Sequence, residues 1–234
     1  KSLNKHPDIF CDDEIFHFSF RDYFSPNQFR FLKLRFLPKK INYIINYPFT
    51  YLRLTGFLDK YFTNKPNEKF KARGFKLMYY QTFYMPGLIN YLKKNNIKII
   101  LLLRENILRN ALSDMRARST GIYHHQDDNE KRRSGLSKLN VDTNDLKQKM
   151  DGIVNQNKKL ANIADDMDHI KIRYEDFIDW NKTMDRIAAF LNVSTAQISA
   201  GAKKLNPDNL QDMIANYSEV ENWLKQNNYA EFTA

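Results

Sequence analysis

The stretch from residue 97 to 118 constrains the fold more than any other. Ile97-Lys98-Ile99-Ile100-Leu101-Leu102-Leu103 is a short apolar run with the length of a buried strand. Arg104 follows at once, and a segment with Leu108, Ala111, Leu112 and Met115 at helical spacing comes next. Asn106 is placed to cap that helix, and Glu105 suits the positive end of its dipole. Two more short runs read as buried strands, Gly74-Phe75-Lys76-Leu77-Met78-Tyr79-Tyr80 and His169-Ile170-Lys171-Ile172-Arg173-Tyr174. Asp8-Ile9-Phe10-Cys11 is a weaker fourth. Helical patterns lie between them, over residues 85–94, 106–118, 145–165 and from Thr183 to Leu191. Strands alternating with helices predict an α/β fold with a parallel sheet covered by helices on both faces.

Two regions fit this scheme less well. Residues 20–65 are rich in Phe, Tyr, Leu and basic side chains, with Pro26, Pro38 and Pro48 inside and Pro66 just beyond. They read as short helices and loops outside the sheet. Residues 121–143 read as a mobile surface loop.

A chain of 234 residues suggests one domain, 1–234, able to bury a core without disulfides. Its one cysteine, Cys11, leaves no disulfide within the chain and fits a reducing compartment. No stretch approaches the roughly 18 apolar residues of a membrane span. The start, Lys1-Ser2-Leu3-Asn4-Lys5-His6-Pro7, has neither an initiator Met nor the apolar segment of a signal peptide. The expectation is a cytoplasmic enzyme of bacterial or phage type whose natural chain continues upstream, where a signal or anchor could lie. The net charge of +10 calls for an anionic partner: nucleic acid, a membrane surface or a phosphate-rich nucleotide. Charge alone leaves a solvated basic surface equally open.

Arg104 stands where an open parallel sheet binds ligands, at the carboxyl end of a strand. The helix that follows offers N–H groups and a positive dipole end to a phosphate, and Arg104 adds a bidentate fork. Arg109, Ser113 and Arg116 share one helix face by their i, i+4, i+7 spacing. Spacing alone leaves open whether that face binds an anion or is merely solvated. Elsewhere the signals are weaker. His124-His125 with Asp127 and Asp128 are too close in sequence to make a defined metal site. Lys131-Arg132-Arg133 reads as a solvated loop. The aromatic and basic stretch 29–36 reads as an acceptor-side lid or a subunit interface, which leaves a homodimer open. No nucleic-acid motif is present.

The segment Leu103-Arg104-Glu105-Asn106-Ile107-Leu108-Arg109-Asn110-Ala111-Leu112-Ser113 resembles the 3′-phosphate-binding motif of sulfotransferases. Its spacing, and the following Arg116-Ala117-Arg118-Ser119-Thr120-Gly121-Ile122-Tyr123, are similar to the bacterial trehalose and nodulation sulfotransferase group. Three further stretches resemble that group in the same order: 74–81, Ile172-Arg173-Tyr174-Glu175-Asp176-Phe177 with its following helix, and the C-terminal helical segment within 203–234. The residues themselves suggest that Glu175 and Asp176 hold loops and cap the next helix. The resemblance implies a central parallel sheet like that of P-loop nucleoside kinases and the donor PAPS (3′-phosphoadenosine-5′-phosphosulfate), with no metal required. Residues 18–70 and 121–143 become acceptor-side segments. Arg104 and Ser113 would hold the 3′-phosphate, with Arg109, Arg116 and Arg118 as secondary nucleotide contacts.

His6 to Glu14 resembles a segment of tyrosylprotein and bacterial sulfotransferases in which a Glu at the position of Glu14 is the catalytic base. A solvated acidic loop is the alternative for Asp12-Asp13-Glu14. His17, whose ordinary pKa is nearer neutral, is the rival base. Lys76 would neutralise charge on the leaving phosphate. The loop that binds the 5′-phosphosulfate in this family has no counterpart here, since none of the seven glycines precedes Glu14. That loop and the first strand are expected upstream of Lys1. An ATP-dependent small-molecule kinase, a basic nucleic-acid-binding protein and a family member that only binds remain as rivals. The acceptor hydroxyl, on a carbohydrate, glycolipid, peptide or polyketide, is not indicated.

Overall fold

A computed structural model describes residues 2–16, 39–63, 69–85, 87–121, 138–200 and 209–233. Among them four short strands form: β1 (Ile9–Asp12), β2 (Ala72–Phe75), β3 (Ile99–Leu103) and β4 (His169–Arg173). Among the described residues they pair two by two, β1 with β2 and β3 with β4. The first pair is parallel, with Ile9 opposite Ala72 and Asp12 opposite Phe75. The described residues also form the α-helices α1 (Lys39–Thr63), α2 (Gln81–Tyr84), α3 (Leu88–Lys94), α4 (Ile107–Thr120), α5 (Thr143–Asp165), α6 (Trp180–Leu191) and α7 (Tyr217–Gln226). The chain is thus mixed α/β. A single central parallel sheet is not what the described strands form.

The residues cluster into two compact units: 1–101 with 160–171 and 179–199, and 102–159 with 172–178 and 200–234. The first unit packs Leu54 and Leu58 of α1 against Met85 and against Leu88, Tyr91 and Leu92 of α3, with Phe16 joining. Leu54, Leu58 and Tyr61 recur at i, i+4 and i+7, so α1 lays one stripe on the core. Residues 39–63 are therefore one helix of 25 residues, not short helices and loops, and Pro48 falls inside its span. The stripe outweighs the proline signal because packing, rather than propensity, holds a long helix together. Gly87 precedes α3 with φ 83°, and a Cβ there would run into the Tyr51 ring. His6, 3 % exposed, anchors the entry to β1. It accepts the Asp8 N–H at Nδ1 and lies 2.8 Å from the Ser194 carbonyl through Nε2.

The second unit packs Leu108, Ala111 and Leu112 of α4 against Leu146 and Met150 of α5 and Val220 and Leu224 of α7. Asn106 caps α4 by accepting the Arg109 N–H at 2.9 Å, as its position suggests. Asn216 clasps Val141 in both directions, at 2.9 Å each, beside a parallel bridge between Leu139 and Ile214.

Strand β2 differs from expectation. It covers Ala72–Phe75, whereas the sequence suggested 74–80. Its partner β1 offers four residues and ends at Asp12, so the ladder ends with it. Beyond Lys76 the backbone turns, and Gln81 and Thr82 donate their N–H groups to Met78 and Tyr79. The reading of 121–143 as a loop, and those of His124, His125 and 131–133, fall largely or wholly outside the described residues.

Candidate active site

Two side-chain clusters stand at strand ends, one in each unit. The first is set by the register of β1 and β2. Asp12 and Phe75 face each other as the last residues of parallel strands, and the Lys76 N–H extends the ladder to the Asp12 carbonyl. Glu14 and Lys76 therefore leave the strands at the same edge. The Lys76 ammonium meets Glu14 Oε1 at 2.7 Å, with the Glu14 side chain 16 % exposed and that of Lys76 43 %. The other carboxylate oxygen, Oε2, accepts the Gln81 side-chain amide at 3.1 Å and the Tyr80 hydroxyl at 3.2 Å.

Gln81 is 1 % exposed and fully used. Its Oε1 takes the Met78 N–H at 2.9 Å while its Nε2 serves Glu14. Burial, ahead of the nearby Glu14 charge, pushes the Tyr80 hydroxyl above the ordinary tyrosine value, which keeps it a donor. A carboxylate presents about four lone-pair sites, and three are filled here, so one on Oε1 stays open to a proton. Glu14 is a held, oriented acceptor rather than part of a solvated acidic loop. Asp12, its neighbour, serves a different network. The Tyr61 hydroxyl lies 2.7 Å from Asp12 Oδ2 and 2.6 Å from the Gly74 carbonyl, and the Arg73 guanidinium stacks on the Tyr61 ring at 3.8 Å.

The second cluster lies at the ends of β3 and β4. Arg104 and Tyr174 each follow the last residue of a strand, and the Arg104 guanidinium sits over the Tyr174 ring at 4.7 Å. Both strands therefore open at the same edge. Burial holds the Arg104 guanidinium below the ordinary arginine value, against the pull of Tyr174 and Glu175 and with a push from Arg109. Its buried Nε has no hydrogen-bond partner among the described residues.

Glu175 corrects one expectation about the helix start. Its carboxylate accepts the Glu105 N–H at 3.1 Å and the Asn106 N–H at 3.2 Å. Two N–H groups at the entry to α4 thus already face an internal anion. Glu175 holds a loop, as its sequence suggested, but the helix it serves is α4. The next helix, α6, is capped by Asp179, which accepts the Lys182 N–H. Arg173 closes the rim with a two-pronged pair to Glu105, both contacts at 3.1 Å.

Along α4, Ser113 is half-buried and Arg116 is buried, while Arg109 is half-buried. Arg118 is 65 % exposed and pairs with Asp114 at 3.0 Å. His17 lies outside the described residues. Among the described residues no group of His, Cys, Asp and Glu could hold a metal, and no helix is long and apolar enough to cross a membrane. Sequence reasoning missed Gln81 and Tyr80. An uncharged Gln after an aromatic pair carries no signal of its own, and only the fold brings it to Glu14.

No family model and no curated protein matches the chain. Among solved structures, a sulfotransferase from Alicyclobacillus acidocaldarius is similar over 96 % of this chain and 88 % of that one, at 17 % identity and a TM-score of 0.45. Likeness of that degree fixes neither the fold nor the activity of this chain.

Proposed function

We propose that the chain is a sulfotransferase that moves a sulfuryl group from PAPS to a hydroxyl of an acceptor by in-line displacement. The observation that carries the proposal is the Glu14 carboxylate, shielded and clasped by Lys76, Tyr80 and Gln81 at the carboxyl edge of paired parallel strands. Such an arrangement suits a general base, which needs a fixed carboxylate oxygen within hydrogen-bond reach of the acceptor hydroxyl. Glu14 Oε1 takes the hydroxyl proton. Its pairing with Lys76 then loses the negative partner, and the ammonium is left to face negative charge developing nearby.

The donor, when bound, supplies a sulfuryl group already joined to a phosphate leaving group. Arg104 and Ser113 are the residues that would hold its 3′-phosphate, with Arg109 beside them on α4. The buried Nε of Arg104, without a hydrogen-bond partner among the described residues, fits such a group, because a fixed guanidinium donor calls for an oxyanion acceptor. The Tyr174 ring lies under the Arg104 guanidinium at 4.7 Å, and the nearby Glu175 charge favours its charged form.

Calorimetry of the full chain with PAP (3′-phosphoadenosine-5′-phosphate), AMP and ATP tests the proposal. The expected result is a preference for PAP that disappears in Arg104→Ala and in Ser113→Ala. Equal binding of the three nucleotides, or a preference for ATP with Mg²⁺, would overturn it.

A further inference from the structure

Gln81 is 1 % exposed and opens α2. A polar side chain that deep is kept only where its groups are paired. The orientation of its amide is fixed from both ends. The Met78 N–H is a donor, so the atom 2.9 Å from it is Oε1, and Nε2 is left to face Glu14 Oε2 at 3.1 Å. The Gln81 N–H returns to the Met78 carbonyl at 2.9 Å, so one residue closes the turn after β2 in both directions.

Closing that turn needs only the acceptor end of the side chain, and a Glu would do as much. The donor end reaches across to the segment after β1. Gln is the side chain of this length that carries an acceptor, a donor and no charge. On Glu14 the contacts divide by oxygen. Oε2 accepts from two neutral donors, Gln81 and the Tyr80 hydroxyl at 3.2 Å, while the Lys76 ammonium and the open lone-pair site belong to Oε1. The neutral donors fix the plane of the carboxylate without setting a second cation beside it.

We propose that Gln81 is a positioning residue, which brackets Glu14 to the turn after β2 and aims Glu14 Oε1 at the acceptor hydroxyl. The catalytic half of this rests on the sulfotransferase reading, and the bracket itself does not.

The test uses the full chain, PAPS labelled in its sulfuryl group and water as the acceptor, read as labelled sulfate released. The water oxygen bonds to sulfur as the bond from sulfur to the phosphate oxygen breaks, its proton passes to Glu14, and PAP leaves. Gln81→Leu should lower kcat by about tenfold to a hundredfold, the loss that a small misplacement of a catalytic group brings. KM for PAPS and affinity for PAP should not change. In a Glu14→Ala background the same substitution should change the rate by less than about twofold, because residues that act as a unit are not additive.

Gln81→Glu keeps the acceptor for Met78 and sets a second carboxyl against Glu14. With one proton on the pair, the introduced carboxyl donates as the amide does. With none, two like charges face each other beside Lys76 and Tyr80, the other ionisable groups that touch Glu14. Its rate should therefore fall with rising pH more steeply than that of wild type.

Equal losses from Gln81→Leu in the two backgrounds would overturn the proposal. So would a change in KM alone, or a wild-type pH profile for Gln81→Glu. If Gln81→Leu fails to fold, the pH profile of Gln81→Glu decides. A wild type that neither binds PAP nor releases sulfate defeats the sulfotransferase reading, and thermal midpoints then decide the bracket. A Glu14→Ala, Gln81→Leu double variant whose midpoint falls by the sum of the two single falls overturns it, and a clearly smaller fall supports it.

Discussion

Replacing Gln81 by Leu probes the scaffold under Glu14. The change keeps the side chain apolar-compatible and similar in size, and removes both of its polar ends. Three bonds are affected: the Met78 N–H to Gln81 Oε1 at 2.9 Å, and Gln81 Nε2 to Glu14 at 3.1 Å and to the Tyr80 hydroxyl at 3.4 Å. A hydrogen bond to a charged group contributes about 1.5–3 kcal/mol, and an N–H left buried without a partner costs about 1–3 kcal/mol. Burying apolar carbon in place of an amide returns roughly 1–2 kcal/mol. The net destabilisation is about 3 kcal/mol. For a chain of 234 residues, each kcal/mol moves the midpoint by about 2–4 °C, so the fall should be roughly 6–12 °C. Thermal unfolding followed by circular dichroism reads it. A midpoint within about 1 °C of wild type would refute the argument that Gln81 ties Glu14 to the turn at Met78.

Glu14→Gln should leave the fold intact and lower sulfuryl transfer by about a hundredfold to ten-thousandfold, with PAP binding unchanged by calorimetry. Gly87→Ala should cost about 2–4 kcal/mol in chemical denaturation, because the left-handed φ of 83° strains an L-residue and the new Cβ meets the Tyr51 ring. Asp114 gives a pH signature. Burial works against its ionisation, but the Lys149 and Arg118 bonds outweigh that and hold its carboxyl below the usual value. Its contribution is then fully present above the ordinary carboxylate value near 4 and is lost as pH falls through the lower folded value. Denaturation from pH 7 to pH 2 should show wild type more stable than Asp114→Asn at pH 7, with the gap closing in that acid range. Glu175→Gln removes the anion from the start of α4. It should cost about 1 kcal/mol in stability, and dialysis should find oxyanions bound more tightly beside Arg104.

What the sequence made legible is local. The apolar run ending at Leu103, Asn106 as cap and the Leu108–Leu112 stripe of α4 were all readable, since each depends on neighbours within one or two turns. Lys76 was readable in part: a lysine in an apolar run has to reach an edge or a charge, and it does both, leaving β2 just after its last residue and pairing with Glu14. The end of β2 was not readable. Leu77, Met78, Tyr79 and Tyr80 look like strand residues by composition, yet strand length is set by the partner, and β1 stops at Asp12. The 25-residue α1 was obscured by prolines that carry strong local meaning, while the stripe that overrides them needed a partner core to show itself.

The same division separates the pieces of the candidate site. Arg104 could be placed from its own neighbours. Glu175, 70 positions away from Glu105, could not be assigned to α4 from sequence, because nothing local distinguishes a carboxylate that caps its own next helix from one that caps another. Its place there changes what the strand end offers. The N–H groups of Glu105 and Asn106 are committed to Glu175, so an oxyanion arriving at this edge meets side chains first. Under the proposed function, guanidinium and hydroxyl groups such as those of Arg104 and Ser113 would then carry a larger share of the grip than a helix N-terminus. That share is why single substitutions at Arg104 and Ser113 should each register in PAP binding, rather than being masked by a cradle of backbone donors.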